Sequence, residues 1–106
     1  MGPEAKIQKT TVTWAKATYR KDQLLPRKFQ SGMYGTNGYP DYDWLVKGGK
    51  IFFIEFKAPG ADCTELQLAR HSELRALGFT VYVCDSVDQA KGCIRTEMRK
   101  ALGRAA

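Results

Sequence analysis

Two short stretches hold the residues best suited to chemistry. One is "GYPDYD", with Asp41 directly after Pro40; the other is "IFFIEFKAPG", in which Glu55 and Lys57 break an otherwise apolar run. Alternation along a strand sends Ile51, Phe53, Glu55 and Lys57 to one face and Phe52, Ile54 and Phe56 to the other. Both faces begin apolar, which predicts a central strand covered on both sides. Glu55 and Lys57 then share a face near the strand's C-terminal end, where sites form in open α/β sheets. A strand-end salt bridge is the plain alternative, and Glu-x-Lys alone is a weak signal.

Asp41 changes the balance. A hairpin loop of Lys47-Gly48-Gly49 pairs Val46 with Lys50 and sets Asp41 opposite Glu55 on the same face. A two-residue Gly48-Gly49 loop shifts the pairing by one and sends Asp41 to the other face. Three-residue loops commonly end in a left-handed residue, which Gly49 suits. Asp41 placed just ahead of the strand is a third arrangement, with its direction freer. Facing carboxylates repel, and a divalent cation removes that penalty. Oxygen ligands without histidine or cysteine suit Mg²⁺ or Mn²⁺. Such an ion lowers the pKa of water and neutralises charge on a phosphoryl group in transit. Lys57, a compact point charge, would orient the attacking water or stabilise developing negative charge. Two acids, one lysine and a basic surface together describe metal-dependent phosphodiester hydrolysis.

These residues need a scaffold. Pro3 and Glu4 suit a helix start, and Ile7, Thr11, Trp14 and Thr18 recur at helical spacing, predicting a helix over 3–20. The β-branched run Thr10 to Thr13 weakens that reading. Residues 22–40 read as loop, with Pro26 and Pro40 and a short strand near Lys28 to Ser31. Strands follow over 41–47 and 50–57. Thr64 and Gln67 form a capping-box pattern opening a helix with apolar Leu66, Ala69, Leu74 and Leu77, closed by Gly78. "FTVYVCD" is a strand. Ser86 and Gln89 open a last helix to about Leu102, with Val87, Ala90, Ile94 and Met98 as its apolar face. The order is α-β-β-β-α-β-α, an α/β fold with a mixed β-sheet flanked by helices.

The chain has 106 residues, which suits a single domain over 1–106. Seventeen basic residues against eleven acidic ones give a net charge of +6 and favour a polyanionic partner, nucleic acid foremost. Lys91, Arg95 and Arg99 form one stripe on the last helix, and Arg27, Lys28 and Lys47 fall in loops; these are the expected phosphate contacts. Nothing offers base-edge readout, so recognition by shape is expected. Three cysteines without a CxxC pair and a single histidine argue against structural zinc. No run is long enough to span a membrane and no secretory signal is visible, so a cytoplasmic location is expected.

"GYPDYDWLV…GGKIFFIEFKAPGADCTELQ" resembles the VRR-NUC nucleases, a branch of the PD-(D/E)xK superfamily with a restriction-endonuclease-like fold. The pattern reads Pro40-Asp41, a spacer, then Glu55-Phe56-Lys57. Gly38, Pro59-Gly60, Gln67 and Gly78 before the apolar strand complete the family context, and the likeness covers roughly residues 4–90. The resemblance implies that Asp41, Glu55 and the Phe56 backbone carbonyl bind Mg²⁺ or Mn²⁺, that Lys57 is the catalytic lysine, that Glu4 is a further ligand or water-holder, and that Gln67 lies at the active-site edge. It implies a structure-specific endonuclease of bacterial or phage-infected cells, acting on branched DNA such as four-way (Holliday) junctions as a homodimer. Blander roles stand beside these: Glu4 as a first-turn acid, Gln67 as a capping partner only. Asp43 is a lesser ligand candidate, and His71 reads as a surface or phosphate-contacting residue. Trp14 and Trp44 read as core. The rival functions are a basic nucleic-acid-binding module without cleavage and a structural domain in which Glu55 and Lys57 merely pair.

Overall fold

The structure, a computed structural model, describes residues 1–29 and 37–103. Helix α1 spans Pro3–Thr18, with Pro3 in the first turn, where its missing N–H costs nothing, and Glu4 beside the positive end of the helix. Its buried stripe is Ile7, Gln8, Thr11 and Ala15; Trp14 is half-buried and Thr18 exposed. The β-branched run is carried because burial of one face outweighs propensity. The helix stops two residues short of the expected end because Tyr19 turns extended and buries its ring edge-on against Trp14.

The first strand, β1 (Leu24–Lys28), lies earlier than the sequence led us to expect, and Gln30 and Ser31 fall outside the described residues. Pro26 sits in the middle of β1, opposite Trp44. Proline is tolerated there because β1 is an edge strand. Strands β2 (Tyr42–Val46) and β3 (Lys50–Phe56) form the hairpin, pairing Val46 with Lys50 and Tyr42 with Ile54. The loop is therefore the three-residue Lys47-Gly48-Gly49, in the register that places Asp41 opposite Glu55. Helix α2 (Glu65–Ala76) crosses to β4 (Thr80–Cys84), which pairs parallel with β3, and α3 (Val87–Leu102) closes the described chain. The sheet order is β1-β2-β3-β4, a mixed sheet in an α-β-β-β-α-β-α fold.

The two faces of the sheet differ. Helices α1 and α3 close one face over the large core, which joins Ile7 and Ala15 to Trp44, Phe52, Ile54, Phe56, Ala90, Ile94 and Met98. Trp44 and Phe52 stack in parallel there, 5.7 Å apart. Helix α2 covers the other face over a much smaller cluster of Phe53, Leu74 and Val81. Of the expected apolar stripe of α2 only Leu74 is buried. Leu66, Ala69 and Leu77 are exposed, and His71 joins Leu74 on the sheet.

The caps follow the sequence. Thr64 and Gln67 make the full capping box. Beyond α2, Gly78 takes φ +96° and donates to Arg75, while Phe79 donates to Leu74, a Schellman closure. At α3 the Ser86 side chain accepts from Gln89, but the Gln89 side chain accepts from the backbone of Asp85 instead of completing the box.

Candidate active site

The carboxylates meet on the α2 face, at the C-terminal end of β3. Asp41 lies one residue ahead of β2 and accepts a hydrogen bond from the Phe56 backbone N–H, 2.8 Å away. That bond extends the β2–β3 ladder by one side chain and holds the Asp41 carboxylate beside Glu55. Glu55 is 2% exposed and hydrogen-bonded to Asp41, and its Oε1 has no hydrogen-bond partner. Burial, then the bond to Asp41 and its charge, push the Glu55 pKa up to about 9; Lys57 opposes the shift. Two acids held together in a dry place retain a proton because they cannot both ionise cheaply.

Lys57 follows on the same face and is almost buried. Its backbone N–H donates to the Cys84 carbonyl, tying it to β4, and its Nζ donates to Gln67 Oε1 at 2.7 Å. The same oxygen accepts from the Thr64 backbone N–H at 2.9 Å. Gln67 thus caps α2 and hydrogen-bonds Lys57 at once, so it is more than a capping partner. Glu4 reaches the site from the start of α1. Burial raises its pKa, Asp41 raises it further, and Lys57 and Lys28 pull it back.

The approach to Asp41 is held from α2. Gly38 has φ +82°, and a Cβ there would lie 2.7 Å from the Leu66 side chain and 3.0 Å from the Leu66 carbonyl. Only glycine lets this loop lie against the helix. Arg70 then pins the loop, donating to the Asn37 carbonyl and standing over the Tyr39 ring.

Other expected site residues lie elsewhere. Asp43 is buried in a two-pronged ion pair with Arg27, at 3.0 and 2.7 Å, which withdraws both its oxygens from ligand duty. Arg27 and Lys28 stand in β1 and not in a loop. Lys47 sits at the hairpin turn, the far end of β3 from the site, a separation of about 23 Å along the strand. Helix α3 starts at the site end but on the opposite face, so Lys91, Arg95 and Arg99 recede from the site by roughly 6 Å per step. Lys91 and Arg95 also lie over the Trp14 ring, at 5.4 and 5.1 Å from its centroid.

His71 is the residue the sequence reading misplaced. It is fully buried, not on the surface, with Nε2 3.5 Å from Glu55 Oε1. Burial lowers its pKa, as do Arg75 and Lys57. The available signal was its position one turn after Gln67.

The donor set fits a hard cation. Among the described residues no group of three or more His, Cys, Asp or Glu side chains gathers as a ready metal site. Mg²⁺, however, takes one or two carboxylates and keeps several waters. The Asp41–Glu55 pair is such a set. Burial and the neighbouring Asp41 carboxylate, which together hold the Glu55 pKa up, mark where positive charge is wanted.

No protein-family model matches the chain. A protein described as "Putative nuclease p44", from Acyrthosiphon pisum secondary endosymbiont phage 1, is 48% identical over 54 residues, covering 51% of this chain and 58% of that one. A solved structure described as "VRR_NUC domain" superposes with a TM-score of 0.73 at 27% identity, covering 89% of this chain and 96% of the other. The chain is similar to a VRR-NUC domain in fold and, over about half its length, to that phage protein in sequence. Its fold is that of a VRR-NUC domain nearly end to end, with Asp41, Glu55, Lys57 and Gln67 converging on one face of the sheet. No helix among the described residues is long and apolar enough to cross a membrane.

Proposed function

We propose that this domain is a Mg²⁺- or Mn²⁺-dependent endodeoxyribonuclease. One observation carries the reading: Asp41 and the buried Glu55 are hydrogen-bonded across the hairpin, beside a lysine that Gln67 holds on the same face. The name and fold of the relatives support it. Asp41 and Glu55 would hold the cation, with the Phe56 carbonyl beside them. When bound, the ion would neutralise charge on the scissile phosphate and acidify water. The chain supplies the rest. Lys57 points its amine at the phosphate and stabilises the charge that develops there. Gln67 sets the direction of that amine. Glu4, at the rim, holds water or completes the ligand set.

The substrate is proposed to be branched DNA, four-way junctions included, read by shape and phosphate. Lys28, close enough to Glu4 to affect its titration, is the first phosphate contact. Lys47, Lys91, Arg95 and Arg99 would meet only a substrate that wraps the edges of the domain. A symmetric junction presents two cleavage points, which a twofold homodimer would match. The setting is the cytoplasm of a bacterial or phage-infected cell.

The test is a panel of labelled flaps, forks, nicks and junctions incubated with each metal, comparing wild type with Lys57→Ala. Cleavage by wild type and binding without cleavage by the variant are expected. Wild-type binding with no cleavage on any substrate would instead make the domain a basic binding module.

A further inference from the structure

Three buried polar atoms near the carboxylates have no hydrogen-bond partner: Glu55 Oε1, His71 Nε2 and His71 Nδ1. A buried polar group left unpaired is costly, so three at one spot call for a reason. Two of them, Glu55 Oε1 and His71 Nε2, face each other at 3.5 Å. A neutral imidazole has one N–H to give, and the adjacent orphan is an acceptor.

The packing of α2 on β3 shows why His71 occupies this place. The helix runs back along the strand. Gln67 meets Lys57, His71 meets Glu55, and Leu74 joins Phe53 in the small core. Residues four apart on a helix rise about 6 Å, and residues two apart on a strand about 6.7 Å. The two periods match, so one helix face supplies one support for each functional strand residue. Gln67 serves the amine; His71 is placed to serve the carboxylate.

We propose that His71 is a positioning residue for the metal-binding carboxylates: its Nε2–H bonds Glu55 Oε1 and turns the other Glu55 oxygen toward Asp41 and the cation. The inference rests on the proposed function. Ligating carboxylates are commonly held by such outer bonds, and losing one typically weakens metal binding by roughly 10–100-fold.

The experiment is calorimetric titration of Mn²⁺ into the DNA-free protein. It compares wild type with His71→Leu, which keeps bulk and removes the donor, and His71→Gln, whose amide reaches the Nε2 position. His71→Asn, too short to reach it, replaces His71→Leu if the latter fails to fold. A tenfold or greater rise in Kd is expected for His71→Leu or His71→Asn, with His71→Gln close to wild type and all metal-free melts similar. Equal Kd for wild type and His71→Leu, or His71→Gln as weak as the donor-free variants, would overturn the role of His71 alone. No Mn²⁺ binding by wild type would overturn the nuclease reading together with it.

Discussion

The two faces of the sheet divide the work of the molecule. Under α1 and α3 the buried surface is almost wholly apolar and rich in aromatic contacts. Under α2 three apolar residues share the space with Asp43, Glu55, Lys57 and His71, all buried. Strand β3 serves both sides residue by residue, because alternation hands Phe52, Ile54 and Phe56 to one and Phe53, Glu55 and Lys57 to the other. A polar face of this kind is unfavourable to build and needs a strong core at its back. The apolar side supplies folding energy, and the α2 side carries the charged groups a reaction requires.

Neighbours on β3 should therefore fail in opposite ways. Phe56→Ala should lose about 3–5 kcal/mol of stability, the usual result of emptying an aromatic core position, and chemical denaturation would measure it. Lys57→Ala, one residue on, should lower kcat by roughly 100- to 1,000-fold, as removing one preorganised charge does, with a smaller change in the denaturation midpoint than Phe56→Ala. If both variants lost mainly stability, the division between the faces would collapse.

Gly38→Ala tests how the α2 side is assembled. A side chain there meets both a positive φ and the Leu66 backbone. The expected cost is about 1–3 kcal/mol, and it should appear with reduced cleavage because the loop carries Asp41.

The smallest effect expected concerns pH. Glu55 has a folded pKa of about 9, far above its unfolded value. The folded state therefore keeps a proton that the unfolded chain releases. Stability is full below the unfolded pKa of 4.5 and falls as pH rises toward about 9. Melting of the metal-free protein should follow that slope. Glu55→Gln should flatten it, and at pH 8.5 should be the more stable protein by more than about 1.4 kcal/mol. A parallel slope for the two would mean that the carboxyl pair is not dry.

Much of this arrangement was legible in the chain. Gly48 and Gly49 allowed a two- or a three-residue turn; the three-residue turn forms, and its register sets Asp41 against Glu55. The capping patterns at Thr64 and Ser86 marked true helix starts. Other features depended on tertiary context. Pro26 reads as a breaker until β1 is known to be an edge strand. The α2 periodicity found Leu74 but not His71, which the helix turns inward over Glu55. The Lys91–Arg95–Arg99 stripe was visible, but its distance from the site follows from the parallel β3–β4 pairing, which starts α3 at the site end and sends it away over the other face. Asp43 shared a strand face with Asp41, and only its cross-strand partner Arg27 shows it to be structural.

The most direct test is a Mn²⁺ titration at pH 7 followed by electron paramagnetic resonance, with proton release recorded alongside. Wild type should bind the ion and release a proton as the Asp41–Glu55 pair ionises, and Asp41→Asn should do neither. Binding that is identical in wild type and Asp41→Asn, or no binding at all, would contradict the assignment of these two carboxylates as the metal site.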